Sequence, residues 1–269
     1  MPAGHNEPAR GDRLTAVVLG ASNVSRGLAR LSAAVRGRAV GPVDLYVAAG
    51  HGRSYGANSR VWMRRLPSIL WCGLWRALDR DCLGVDGGKT VALVTDVGND
   101  ILYGFPPDQV ASWVREAVTR LVDRGAKVVI TRIPLEAVER VGPGRYRALK
   151  TLFVPGCPLS IEGLKSSAAE LDAMLVDIAT AFGLPTIDQP GEWYGLDTLH
   201  PRRRRLDTLW QRACDAWGLE SPGKRRRATL REWSVLGRRA AEVRMLGRRM
   251  RYTPQPVHRF PDGGRVALY

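Results

Sequence analysis

Cysteine is scarce in this 269-residue chain. There are four residues, Cys72, Cys82, Cys157 and Cys214, irregularly spaced and without a C-x-x-C pair. The pattern argues against a disulfide scaffold, a zinc site or a dithiol redox centre, and reduced structural thiols are expected. Long apolar runs are also missing: none approaches the ~18 uninterrupted residues of a membrane span. The opening Met-Pro-Ala-Gly-His-Asn-Glu-Pro lacks the basic start and apolar core of a secretory signal, so a soluble cytoplasmic protein is expected. No Gly-Lys-Ser/Thr of a phosphate-binding loop and no internal repeat occur. Acidic residues are in deficit, with 26 Asp and Glu against 41 Lys and Arg and a net charge of +15. From Pro222 to Tyr269 thirteen Lys/Arg face three Asp/Glu, so ten of the fifteen charges lie in the last 48 residues. The basicity therefore belongs mainly to a tail and need not describe the body.

What is present is a 45% hydrophobic composition, enough for a sizeable core. Short apolar runs at Thr15–Leu19, Val43–Ala49, Thr90–Thr95, Ala126–Thr131 and Pro185–Asp188 predict five strands. Helical spacing is expected over Gly27–Val35, Val61–Leu78, Asp108–Arg124 and Gly163–Phe182, and from Pro201 toward Trp217. The stretch 132–162, rich in Pro and Gly, predicts a loop excursion with a short helix around Tyr146–Leu152. Strands alternating with helices imply a parallel sheet covered on both faces. The expected organisation is a flexible N-terminus (1–13), an α/β domain (14–220) and a basic, partly helical C-terminal extension (221–269). In that extension Leu230, Trp233, Leu236, Ala240 and Val243 recur at helical spacing, suggesting docking on the body or on a second subunit.

Ligands of open parallel sheets bind beyond the carboxyl ends of the strands, so the residues after each strand carry the chemistry. Four segments stand out: Gly20-Ala21-Ser22-Asn23, the loop Gly50-His51-Gly52-Arg53-Ser54-Tyr55-Gly56, Gly98-Asn99-Asp100, and Asp197-Thr198-Leu199-His200. Acyl transfer needs a nucleophile, a base, an orienting acid and donors for the oxyanion. Ser22 at a helix start is the candidate nucleophile and His200 the candidate base. Asp197, three residues before His200, can fold back within one turn to hold its imidazole. The backbone N–H groups of Ser22 and Gly52 and the side-chain amide of Asn99 are candidate oxyanion donors.

These blocks resemble those of the SGNH (GDSL-like) hydrolases. Gly20-Ala21-Ser22 is similar to the family's Gly-Asp-Ser, and its glycine block is matched best by Gly52, with Gly50 as the alternative register. Val97-Gly98-Asn99-Asp100 is similar to Gly-x-Asn-Asp, with the leading glycine shifted by one. Asp197 and His200 match Asp-x-x-His. The blocks span residues 15–205, about three-quarters of the chain. The resemblance implies a three-layer α/β/α sandwich, flavodoxin-like, with a five-stranded parallel sheet. It implies hydrolysis of a carboxylic ester, thioester or O-acetyl group of a small-molecule substrate, through an acyl-enzyme and with no metal or organic cofactor. Ala21 departs from the pattern, standing where the family has an aspartate that shapes the site without joining the triad.

Other readings compete. Ser22 alone can be a helix cap, Asn99 and Asp100 turn residues. Gly52-Arg53-Ser54-Tyr55-Gly56 matches the Gly-x-Ser-x-Gly elbow of α/β-hydrolases, but too few strands precede it. Tyr146 and Lys150 have the Tyr-x-x-x-Lys spacing of a short-chain dehydrogenase, but Asn23–Gly27 lacks the further glycines that admit a pyrophosphate. Trp62, Trp71 and Trp75 fit core packing better than an acyl pocket. The basic tail, with Lys224-Arg225-Arg226-Arg227 and Arg248-Arg249, keeps open a non-catalytic module of the same fold that holds nucleic acid, an anionic surface or a second subunit.

Overall fold

Valine- and leucine-rich runs fill both faces of a parallel sheet, and five such runs build the centre of the molecule. The computed structural model describes residues 13–61, 64–82, 88–153, 156–195, 200–219, 226–236, 242–245 and 249–269. Strand β1 (Leu14–Leu19) leads into helix α1 (Ser22–Arg38) and strand β2 (Val43–Ala48). Next come β3 (Ser59–Val61), β4 (Arg64–Leu66), α2 (Leu74–Cys82), β5 (Lys89–Val94), α3 (Asn99–Leu102), α4 (Pro107–Val122) and β6 (Lys127–Thr131). Then follow α5 (Leu135–Glu139), α6 (Pro143–Phe153), α7 (Ile161–Phe182), β7 (Thr186–Ile187) and α8 (Arg203–Ala216). The described chain closes with α9 (Leu230–Leu236), β8 (Glu242–Met245), β9 (Arg249–Tyr252), β10 (His258–Arg259) and β11 (Arg265–Leu268).

The main sheet runs β10-β11-β2-β1-β5-β6-β7. All its pairs are parallel except β10 with β11. Alternate residues of a strand face opposite sides, and each side has its own core. Val17, Leu19, Tyr46, Ala92, Val94, Val128 and Ile130 pack with α2, α4 and α7. Ala16, Val18, Leu45, Val47, Val91, Leu93 and Val129 pack with α1 and α8 and with the buried rings of Trp193, Trp210 and Trp217. This is the three-layer α/β/α arrangement. Close approach of α1 to α8 needs Gly27, where a Cβ would lie 2.9 Å from the Trp210 ring.

The structure departs from the sequence reading in three places. The five expected strands are present as β2-β1-β5-β6-β7, but the sheet holds seven among the described residues, because β10 and β11 extend it beyond β2. Val266, Ala267 and Leu268 are buried there. Tyr269 donates its N–H to Val47 O (2.8 Å) and stacks on Tyr46. A four-residue run after a Gly-Gly pair carries too little pattern to be recognised as a strand. Second, the helix expected over Val61–Leu78 starts only at Leu74. Pro67 bars a continuous helix, and the segment before it pairs antiparallel in a second sheet ordered β3-β4-β8-β9. Third, the excursion 132–162 holds two helices, α5 and α6, rather than one.

In the last 48 residues the helical stripe covers Leu230, Trp233 and Leu236 and gives way to strand β8, which contains Val243. Ala240, Lys224, Arg225, Arg248 and residues 1–12 lie outside the described residues. Several tail cations are paired. Arg265 bridges Asp44 and Asp81, and Arg226 approaches Asp262. In turn, tail acids Glu232 and Asp262 both pair with the buried Arg36 of α1. Among the described residues no helix is long and apolar enough to cross a membrane.

Candidate active site

Strand β1 ends at Leu19, and Gly20 follows it beside the end of β5. A Cβ at Gly20 would lie 2.5 Å from Val24 Cγ2 and 2.9 Å from Thr95 Cγ2, so only glycine lets the chain turn here directly into α1. The turn puts Ser22 in the first position of α1. On the adjoining β5 turn, Asp96 adopts a left-handed backbone (φ +58°). Its carboxylate accepts from the N–H groups of Ala21 and Asn23 and from the Asn23 side-chain amide.

His200 arrives from the far end of the sequence. Its loop is held by the bridge between Tyr194 and Pro201 and by the Arg202 N–H donated to Trp193 O (2.8 Å), with Trp193 sealed in the core. The imidazole Nε2 stands 2.9 Å from Ser22 Oγ, joining residues 178 apart in sequence. Asp197 lies outside the described residues.

Asn99 opens the short α3, and its side-chain Nδ2 has no hydrogen-bond partner among the described residues. Buried amide donors are nearly always paired, which sets this one apart. Ser22 and Asn99 line the same cavity, of about 120 Å³, together with Asp96 and Gly98. The rest of its wall is mostly apolar, including Val97, Ile101, Ile133, Val138, Val141 and Leu164. The excursion 132–162 thus builds much of the wall. Asp172 of α7 fixes it by accepting from the Ile133 N–H (2.9 Å) and pairing with Arg132.

Gly52 is not part of that lining. It has a left-handed φ of +65°, and its carbonyl accepts from the Tyr103 hydroxyl, at the end of α3. The same loop is fastened a second time, by the Tyr55 N–H donated to Asp100 Oδ2 (3.0 Å). A third anchor is Arg53, wholly buried, whose guanidinium donates to Pro67 O and Ala49 O and to the carbonyl of Tyr269. The glycine loop is thereby tied to the Asn99 turn on one side and to the C-terminal strand on the other.

Asp100 is fully buried. Burial pushes its carboxyl up to about 6, while the Ser54 hydroxyl and the Tyr55 N–H pull the other way. The sign for stability follows. Between the unfolded value near 3.8 and the folded value near 6, the native state holds a proton that the unfolded chain has released, so Asp100 makes stability fall as pH rises through that window. Two pKa units correspond to about 3 kcal/mol. Asp100→Asn is expected to gain about that much relative to wild type between pH 4 and pH 7, read from denaturant midpoints. A constant difference across that range would contradict the assignment.

The competing motifs go elsewhere. Ser54 is wholly buried and its hydroxyl accepts from the Ala57 N–H (2.8 Å), so it faces no cleft. Tyr146 and Lys150 line the cavity, but both donate to Leu159 O, at 2.8 and 3.2 Å. Trp75 is buried and donates to Ile69 O, Trp71 is 73% exposed, and neither lines the cavity. Trp62 lies outside the described residues. The sequence reading passed over Asp96. Its only signal was a carboxylate two residues after a strand, where chemistry collects.

No protein-family model and no curated protein matches the chain. Solved structures do. The inhibitor-bound aryl esterase of M. smegmatis matches with a TM-score of 0.51 at 12% identity, over 76% of this chain and 99% of that one. The psychrotrophic esterase EstA from Pseudoalteromonas sp. matches with 0.43 at 16% identity, over 75% and 94%. A GDSL-like lipase from Bacteroides thetaiotaomicron matches with 0.49 at 10% identity, over 79% and 91%. At these identities the likeness is one of fold. The chain shares the fold of the aryl esterase, and it is the three-layer arrangement that the SGNH resemblance implies.

Proposed function

We propose that this chain is a serine hydrolase that cleaves carboxylic esters through an acyl-enzyme. The observation that carries the reading is the 2.9 Å approach of His200 Nε2 to Ser22 Oγ, with Ser22 lining a mostly apolar cavity. Ser22 Oγ attacks the acyl carbon while His200 takes its proton. The negative charge gathers on the former carbonyl oxygen, where the Ser22 N–H and the unpartnered Asn99 amide receive it. We assign the Gly52 N–H as a third donor, on the strength of the loop's attachment to the Asn99 turn. His200 then gives its proton to the leaving alkoxide. In the second half a water takes the place of the alcohol, His200 acts again as base, and the acid is released. Asp197 is assigned to hold the other imidazole nitrogen, because it lies only three positions before His200. The apolar wall suits the hydrocarbon part of an acyl or aryl group. That the aryl esterase shares the fold supports this reaction class.

The test is hydrolysis of short p-nitrophenyl esters by the full chain, with no cofactor added. Turnover above the buffer rate that saturates with substrate is expected. Absence of turnover, together with salt-sensitive binding to nucleic acid or anionic vesicles, would favour the non-catalytic module instead.

A further inference from the structure

Helix α1 begins with a defect that its own sequence does not repair. The first N–H groups of a helix have no intrahelical partner, and the residue before the helix usually offers a side-chain oxygen to one of them. Ala21 stands there and offers none. The oxygens come instead from across the sheet. Asp96 places Oδ2 2.9 Å from Ala21 N, 3.0 Å from Asn23 N and 3.4 Å from Val24 N, and Oδ1 2.8 Å from Asn23 Nδ2. One carboxylate therefore grips residues on both sides of Ser22. The Ser22 N–H between them is not among its donors.

Asp96 holds this position at a cost. Among the described residues it is the only non-glycine with positive φ, a conformation unfavourable for a residue with a Cβ. Such strain persists where surrounding contacts over-determine it, and the contacts here all lead to the turn that carries Ser22. The negative charge also suits the positive end of α1.

We infer that Asp96 is the positioning residue of this site: its carboxylate fixes the α1 turn so that Ser22 Oγ meets His200 and the Ser22 N–H meets the oxyanion. The inference rests on the assignment of Ser22 as nucleophile. It places the work of holding the nucleophile turn on the β5 side, in a chain whose residue before the serine is Ala21.

Two variants of the full chain test it. Asp96→Asn keeps the size and tolerates the left-handed backbone, but it sets an amide NH2 where an acceptor is needed. Asp96→Gly removes the carboxylate and relieves the backbone at once. Each is measured for kcat and KM on p-nitrophenyl acetate, for the rate of fluorophosphonate labelling, and for the fraction of molecules finally labelled. In both variants kcat and the labelling rate are expected to fall about ten- to hundred-fold. KM should stay within about twofold, and labelling should still run to completion. A merely structural role would instead lower the labelled fraction while the surviving molecules reacted at the wild-type rate. That pattern, or wild-type kcat in Asp96→Gly, overturns the inference. Ser22→Ala separates the two failures. Labelling that persists in it overturns the nucleophile assignment, whereas labelling lost in it with wild-type rates in both Asp96 variants overturns the role of Asp96 alone.

Discussion

Ser22→Ala is expected to lower ester turnover by between about 10³- and 10⁶-fold, with an unfolding midpoint close to wild type. The two halves of that expectation have different causes. In the proposed reaction, loss of Oγ removes the atom that forms the acyl-enzyme and the partner that stands 2.9 Å from His200 Nε2. Stability is spared because Ser22 does not cap its helix. The N–H groups of Asn23 and Val24 are held by Asp96, and among the described residues Ser22 Oγ bonds only to His200. A helix-capping serine would behave differently, costing about 1 kcal/mol on truncation and nothing in chemistry. Steady-state kinetics on a short ester and a thermal melt of the same preparation distinguish the two roles.

Asn99→Ala is expected to have the next largest effect, about 10²- to 10³-fold in kcat with KM little changed. The amide nitrogen has no partner among the described residues, so its removal leaves none of their groups unsatisfied and should not destabilise the fold. Its donor matters only when charge has built up on the substrate oxygen, which is why the loss belongs to kcat. Placement of the donor depends on Asp100, the next residue. Asp100 is buried and bonded to the glycine loop through the Tyr55 N–H. The double variant with Ser22→Ala should be no slower than Ser22→Ala alone, since the donor has no oxyanion to serve once the nucleophile is gone. A KM effect without a kcat effect would instead make Asn99 a ground-state binding group.

Much of the fold was legible because the signals were local. The runs around Val17, Val47, Leu93 and Val129 are short, apolar and each followed by turn residues, and all four are strands of the main sheet. The meeting of Ser22 with His200 was legible from the order of the post-strand blocks, because a parallel sheet gathers its strand ends along one edge. What was not legible depended on tertiary pairing. Val61–Leu78 carried a helical stripe of large apolar residues, yet Pro67 interrupts it and the segment before Pro67 is recruited into an antiparallel sheet with β8. Arg265–Leu268 is too short and too close to charged residues to announce a strand, and only its pairing with β2 makes it one. Asp96 was silent for the same reason. A carboxylate after one strand gains meaning only when the start of another helix lies within 3 Å, and no spacing in the sequence encodes that distance.

The cavity wall shows the same division. Residues 132–162, rich in Pro and Gly, read from the sequence as a loop excursion with one short helix around Tyr146–Leu152. In the structure α5 contributes Val138, the turn after it Val141, and α6 Tyr146 to the cavity that Ser22 lines. Tyr146 and Lys150, suggestive of redox chemistry by spacing alone, are both spent on the carbonyl of Leu159 and serve as wall. A pair of side chains on one helical face is thus a poor guide to chemistry until the groups they bond are known.

The central claim is that one particular hydroxyl, out of all the serines in the chain, is activated by His200. Mass spectrometry of peptides from the fluorophosphonate-treated full chain tests it most directly. A single adduct on the peptide containing Ser22, absent after His200→Ala, is the predicted result. An adduct on Ser54 or another serine, or no adduct at all in folded protein that hydrolyses esters, would contradict it.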